Sequence, residues 1–269
     1  MDRHLLKYAL YQEAVQSVEH DADLYANLYR QVHARPARRL REDFCGTFAL
    51  SRAWVKRHPE NEAIGLDLDP EPLVYGLTQA ERELSLSQKR RLRPLKKNVI
   101  SRTEPCDLAV AGNFSFWVFK TEAELVRYFR AVRASLDPKR GLFILDLAGG
   151  TSMNELGPEK RTIRSRTLGK YTYIWDAKSF NPITHEARYA IHFELSQGPR
   201  RERRIRDAFE YDWRLWSIPE VRAALRAAGF GRTFVFWDVA PSRREEKYRI
   251  TDQAENHESW IAYVAGAPN

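Results

Sequence analysis

Two short segments carry residue types that suit a nucleotide. Residues 40–48 read Leu-Arg-Glu-Asp-Phe-Cys-Gly-Thr-Phe, and residues 64–70 read Ile-Gly-Leu-Asp-Leu-Asp-Pro. In the first, a strand runs into a loop holding Gly46 and then into a helix. A small loop residue there lets the backbone approach a ligand closely. In the second, Asp67 ends a strand, where a carboxylate can accept both hydrogen bonds of a ribose diol. Asp67 stands 25 positions after Glu42, in keeping with the spacing of about 20 between a nucleotide loop and its ribose acid. Glu42, Cys45, Gly46, Thr47, Asp67 and Leu68 are the candidate contacts. Each also has a plain structural reading: Gly46 and Gly65 as turn glycines, Asp67 as a helix N-terminal acid.

Composition narrows the classes around these residues. The chain has 269 residues, 43% of them hydrophobic and 30% charged, enough for a large globular α/β core. A formal net charge of +8 favours anionic partners such as nucleotides, phosphorylated metabolites or RNA. Two cysteines, Cys45 and Cys106, are too few for a disulfide framework or a cysteine-built zinc site. No apolar run approaches the roughly 20 residues of a membrane helix. Lys7, Gln12 and Glu13 interrupt any signal-like apolar stretch. A cytoplasmic location without membrane contact is expected. The seven histidines show no metal-binding spacing, and no phosphate loop ending in Gly-Lys-Ser or Gly-Lys-Thr exists.

The elements that must position the candidates follow from periodicity. Apolar positions from Leu5 to Leu28 at three- and four-residue steps predict a helix over 5–32, ended by Pro36. Helices at 48–57, 71–84 and 121–136 then alternate with strands at 62–67, 91–99, 107–112 and 141–147, the pattern of a parallel sheet wrapped by helices. After Gly149-Gly150 the alternation stops. Residues 161–213 read as antiparallel strands with turns at Asn181-Pro182 and 197–199. The arginine-rich run 199–204 reads as a solvated hairpin tip. Ser217, Pro219 and Glu220 predict a capped helix, closed by Gly229, before strands at 233–239 and 259–265. The expected organisation is an N-terminal helical lid at 1–37, a core at 38–150, a β insertion at 151–215 and the end of the core at 216–269.

With these elements in order, the sequence resembles the class I S-adenosylmethionine-dependent methyltransferases. Their first loop reads acid-x-Gly-x-Gly-x-Gly. In that register stand Glu42, Asp43, Phe44, Cys45, Gly46, Thr47 and Phe48, with phenylalanine at both outer glycine positions. A phenylalanine there demands a negative φ or strain. The segment 65–73 resembles the second motif. Asn98 and Val99 fall where the family places a residue against adenine. The segment 106–116 resembles the fourth-strand motif, which puts Asn113, Phe114 and Ser115 at the cofactor. The resemblance spans roughly residues 38–265. It implies S-adenosylmethionine as cofactor and a Rossmann-like α/β fold: a seven-stranded, mostly parallel sheet with an antiparallel β insertion. The Asn-Pro-Pro-aromatic tetrad of amino-directed nucleic-acid methyltransferases is absent, since this chain reads Asn-Phe-Ser-Phe from Asn113. The spaced glycines of a nicotinamide enzyme are also missing.

The resemblance implies a small-molecule acceptor, amine or anionic, capped by the insertion. Alternation puts Tyr171, Tyr173 and Trp175 on one strand face. Tyr8, Tyr11, Phe116, Tyr173, Trp175 and Arg214 are the candidate acceptor contacts, with the N-terminal helix closing one side. Methyl transfer from a sulfonium is an in-line displacement that rests on orientation and desolvation and needs no metal. An amine must be neutral to attack, so a base or a dry pocket is required. His185, His192, Asp176 and Tyr11 are the base candidates. Two other readings stay open: an RNA-directed methyltransferase, from the net charge and the arginine clusters at 38–41, 89–93 and 200–206, and a non-catalytic binding protein, from the two lost glycines.

Overall fold

The short apolar runs between residues 39 and 149 pair as parallel strands in the computed structural model, which describes residues 3–196, 204–240 and 247–269. The chain divides into two compact units. The larger holds residues 18–116, 121–153 and 216–269. Its strands are β1 (Arg39–Asp43), β2 (Glu62–Asp67), β3 (Leu92–Lys96), β4 (Leu108–Ala111) and β5 (Leu142–Gly149), all mutually parallel. Further out lie β10 (Arg232–Asp238), β11 (Tyr248–Ile250) and β12 (Trp260–Ala267), paired antiparallel. The order is β11-β10-β12-β5-β4-β1-β2-β3. Central β4 and the first four residues of β5 are fully buried, as unbroken apolar runs must be when helices cover both faces. Pro94 is tolerated because β3 is an edge.

Helices α2 (Val18–His33), α3 (Ala49–Arg57), α4 (Pro70–Glu83), the single-turn α5 (Leu86–Lys89), α6 (Glu122–Arg133) and α7 (Ile218–Ala227) complete this unit. Ser217 caps α7 in a reciprocal box with Glu220, as expected, and Thr121 with Glu124 does the same for α6. Tyr25, Leu28, Leu40, Phe48, Trp54, Leu108 and Ile144 belong to one apolar cluster. Each large aliphatic side chain so buried stabilises the fold by about 1.5–3 kcal/mol.

The smaller unit holds the segment ending at Ser17, residues 117–120 and residues 154–215. It contains α1 (Arg3–Val15) and a meander of β6 (Gly157–Ser165), β7 (Gly169–Phe180), β8 (Glu186–Leu195) and β9 (Arg204–Arg214). Leu10 and Ala14 of α1 form a cluster with Tyr171, Ile191 and Phe193, and Tyr173 and Trp175 pack against it. The expected shared face of Tyr171, Tyr173 and Trp175 is thus a packed face. The Tyr171 hydroxyl donates to the Leu10 carbonyl, and the Arg161 guanidinium donates to that of Ala14.

Several boundaries differ from expectation. The single helix over 5–32 breaks after Val15, because its two apolar stripes serve different cores: α1 joins the antiparallel sheet and α2 the parallel one. The lid expected at 1–37 is therefore divided between the units. The main sheet has an eighth strand, β11, whose three residues are too few to show a period. The hairpin tip expected at 199–204 lies, apart from Arg204, outside the described residues.

Candidate cofactor site

In the main sheet β1 has β2 on one side and β4 on the other, so strand order reverses between β1 and β4. Ligands of open α/β sheets bind beyond the carboxyl ends of the strands at such a switch point. Two loops leave the sheet there: 44–48 after β1 and 112–116 after β4.

The first loop is tied down at each residue. Cys45 N–H donates to the Leu66 carbonyl at 3.0 Å, and Phe48 N–H to that of Cys45 at 2.6 Å. Gly46 N–H donates to Asp67 Oδ2 at 2.7 Å. The Arg52 guanidinium, buried beside the Phe48 ring, donates to the Thr47 carbonyl at 2.6 Å. Phe44, Gly46 and Phe48 all have positive φ, at 55°, 50° and 44°. Three of the five loop residues are thus left-handed, and the two phenylalanines carry a strain of about 1–2 kcal/mol each. The alternative of a negative φ is therefore not taken. Packing holds the strained form. Phe48 is fully buried, and Phe44 is half-buried with its ring edge-on to Tyr128. Gly76 of α4 makes the room: a Cβ there would stand 2.3 Å from the Thr47 carbonyl and 2.5 Å from the Phe48 ring.

Gly46 differs from Gly76, because a Cβ added to it would meet nothing within 4 Å. The loop therefore fits a ligand approaching its backbone. Asp67 fits as well. Its Oδ1 accepts from Asp69 N–H at 2.9 Å and its Oδ2 from Gly46. A carboxylate has about four acceptor positions, which leaves enough for a diol. Gly46→Ala is expected to lower stability by only about 1–2 kcal/mol, the cost of a left-handed alanine. It should weaken S-adenosylmethionine binding about tenfold or more, because the methyl group points into the ligand's space. Paired thermal melts and calorimetric titrations check this, and equal affinity in the variant would refute the close approach.

Glu42 has a different partner from the one expected. Ser51 N–H and Ser51 Oγ donate to its Oε2 at 2.8 and 2.5 Å, so it ties the first turn of α3 to β1. Burial pushes its carboxyl up to about 7 against the pull of those bonds. Cys45 and Thr47 are buried, while Leu68 is 60% exposed at the start of the β2–α4 turn. Asn98 is exposed and Val99 buried. The 98–103 loop is held by Arg41, which the sequence reading overlooked. Arg41 is fully buried and donates from Nη2 to the Val99 carbonyl at 2.5 Å and from Nη1 to that of Ser101 at 3.0 Å. Its Nε pairs with Asp43 at 2.8 Å, and Asp43 also accepts from the Tyr128 hydroxyl. An opposite-charge pair at i, i+2, on one face of a strand, was the available signal.

Beyond β4, Asn113 and Phe114 are consecutive left-handed residues with φ of 55° and 57°. Ser115 Oγ donates to the Gly112 carbonyl at 2.7 Å, and Phe116 is buried against Phe129.

The remaining candidates lie in the antiparallel unit. His185 is exposed in the β7–β8 turn with φ of 58°. His192 sits at a bulge between β8 and β9. Asp207 N–H donates to its Nδ1 at 2.8 Å, so its Nε2 carries the proton toward Asp176 Oδ2 at 3.3 Å. Both ring nitrogens are engaged within the sheet. Together with Asp176 they line a groove of about 360 Å³ on the face away from Trp175. Tyr8 is buried, and it and Tyr11 pack their rings against Phe209. Burial pushes the Tyr173 phenol up to about 12. Trp175 stacks on Tyr189 at 4.8 Å and lies beside Tyr211. Arg214 donates to the Lys120 carbonyl at 3.3 Å. The structure thus separates these residues into a packed aromatic face, an outer groove and a turn.

No protein-family model and no curated protein matches the sequence. Solved structures do. DesVI of Streptomyces venezuelae matches with a TM-score of 0.70 at 19% identity, over 97% of this chain and 96% of that chain. The S-adenosylmethionine-bound CalS10 of Micromonospora echinaspora, an amino pentose methyltransferase, matches with 0.67 at 17% identity over 97% and 96%. The sugar N-methyltransferase KedS8 of a Streptoalloteichus species matches with 0.66 at 17% identity over 97% and 92%. The chain has the Rossmann-like fold of these methyltransferases, and the match is long enough to include the antiparallel sheet between β5 and α7.

Proposed function

We propose that the protein is an S-adenosylmethionine-dependent methyltransferase acting on an amine-bearing small molecule, with an amino sugar as the favoured acceptor class. The observation that carries the reading is the 44–48 loop. At the switch point of the sheet three of its five residues are left-handed, with Gly46 open to a ligand and hydrogen-bonded to Asp67. In this reading Asp67 takes the ribose diol, the Gly46 backbone faces the cofactor, and Asn98 with Val99 faces the adenine. The cofactor supplies an electrophilic methyl group on a sulfonium. The protein's own part is to orient the acceptor, keep water out and leave the amine neutral. The similar structures described as amino pentose and sugar N-methyltransferases support the acceptor class. Two free, buried cysteines suit a reducing cytoplasm.

The clusters at 38–41 and 89–93 favour a small molecule over RNA, while residues 200–203 of the third lie outside the described residues. Arg38 pairs with Glu60, Arg39 with Asp107 and Asp137, Arg93 with Glu104, and Lys89 with Glu81. Arg91 is turned to four backbone carbonyls. Each of these pairs must be given up before its cation can neutralise a phosphate, which lowers the net gain from RNA. The expected result is calorimetric binding of S-adenosylmethionine and its demethylated product, methyl transfer to amino sugars, and RNA binding that vanishes near physiological salt. Tight, salt-resistant binding to a defined RNA would replace this reading. Cofactor binding with no turnover on any amine would support a non-catalytic role.

A further inference from the structure

The loop after β4 takes a shape that two non-glycine residues disfavour, so something must hold it. Asn113 and Phe114 are left-handed in succession. Their N–H groups donate to one carboxylate: Asn113 to Asp146 Oδ2 at 2.8 Å and Phe114 to Asp146 Oδ1 at 2.9 Å. β4 and β5 pair in register through Ala111 and Leu145, which places Asp146 one step beyond the last pair, beside the loop. We propose that Asp146 is a positioning residue for the methyl donor: its ionised carboxylate clamps both amides and so holds the 112–116 loop in its cofactor-facing form. This rests on the methyltransferase reading for its consequence, though the clamp itself does not.

An ionised carboxylate accepts at both oxygens, whereas a protonated one keeps a single good acceptor and gains a donor. Protonation therefore orphans one of the two amides. Asp146 is 7% exposed. Burial raises its carboxyl to about 7, the amides of Phe114 and Asn113 pull it down, and Asp21 of α2 adds to the rise. Tyr25 of α2 interacts with Asp146, Asp21, Glu42 of β1 and Tyr263 of β12, and Tyr263 is the cross-strand neighbour of Asp146. The surrounding titratable groups are thus acids and phenols. The clamp closes as pH rises through about 7 and loosens below it.

The test uses the full chain without added cofactor first. Amide nitrogen shifts of Asn113 and Phe114, followed from pH 5.5 to 8.5, should titrate together with a midpoint near 7. Asp146→Asn, which keeps one acceptor and cannot ionise, should abolish that titration. Calorimetry then measures S-adenosylmethionine affinity at pH 6 and pH 8. Wild-type affinity should rise about tenfold with pH, the worth of one hydrogen bond to a charged group, and Asp146→Asn should stay at the low value. Amides that do not titrate in wild type would overturn the clamp. Titrating amides with a pH-independent affinity, or an unchanged affinity profile in Asp146→Asn, would overturn its effect on the cofactor. No cofactor binding at any pH, with the amides still titrating, would refute the methyltransferase reading and leave the clamp standing.

Discussion

Arg41→Ala destabilises the protein by about 3–5 kcal/mol, the range for breaking a buried ion pair by removing one partner. Arg41 and Asp43 are both fully buried, with side chains 0% exposed. Without the guanidinium, Asp43 keeps its hydrogen bond from the Tyr128 hydroxyl at 2.8 Å, and an uncompensated carboxylate stays in the core. The carbonyls of Val99 and Ser101 lose this donor at the same time, and the Ser135 hydroxyl keeps only the Thr103 N–H. The effect therefore reaches beyond stability: the 98–103 loop loosens, and cofactor affinity falls with it. Urea unfolding monitored by tryptophan fluorescence measures the first effect, and titration of the folded variant measures the second. The double variant Arg41→Met with Asp43→Leu should recover most of the stability but not the loop, because apolar replacements leave no orphan charge and no donor. A loss below about 1 kcal/mol in Arg41→Ala would show that this pair does not hold the centre of the sheet.

Asp67→Ala should weaken S-adenosylmethionine binding at least tenfold, given that each hydrogen bond to a charged group is worth about 1.5–3 kcal/mol. The change acts twice. It removes the acceptor for two ribose hydroxyls, and it frees the Gly46 N–H that Asp67 holds at 2.7 Å. Asp67→Asn separates the two effects, because its amide oxygen can keep the Gly46 bond while one hydroxyl loses its acceptor. Its affinity should fall between wild type and Asp67→Ala. The global melting temperature should change little, since Asp67 is half-exposed at a strand end. Calorimetry with the demethylated product avoids turnover. Unchanged affinity in Asp67→Ala would remove the ribose assignment and, with it, the register placed on the first loop.

Much of the architecture was readable in the chain because it is coded locally. The buried runs 108–111 and 142–145 are continuous apolar stretches, and such a run in an alternating α/β pattern has little choice but an inner parallel strand. The Ser217–Glu220 box declares its helix within four residues. The place of Asp67 was readable for the same reason: an acid at the end of a strand is a local fact. Other features need partners that sequence order does not bring together. Arg41 reaches a carbonyl 58 positions away and a hydroxyl 94 away, and Asp146 holds an amide 33 positions before it. The left-handed Phe44 and Phe48 run against their own backbone preference. They are sustained by burial of one ring against Gly76 and by edge contact of the other with Tyr128. The two stripes of the N-terminal segment look like one helix until each meets its own core. Local preference, worth a few tenths to about 1 kcal/mol per residue, was enough to write most of the list of elements, though not β11 or the break between α1 and α2. Burial and charge pairing, worth several kcal/mol at single residues, chose the loop shapes and the residues that hold them.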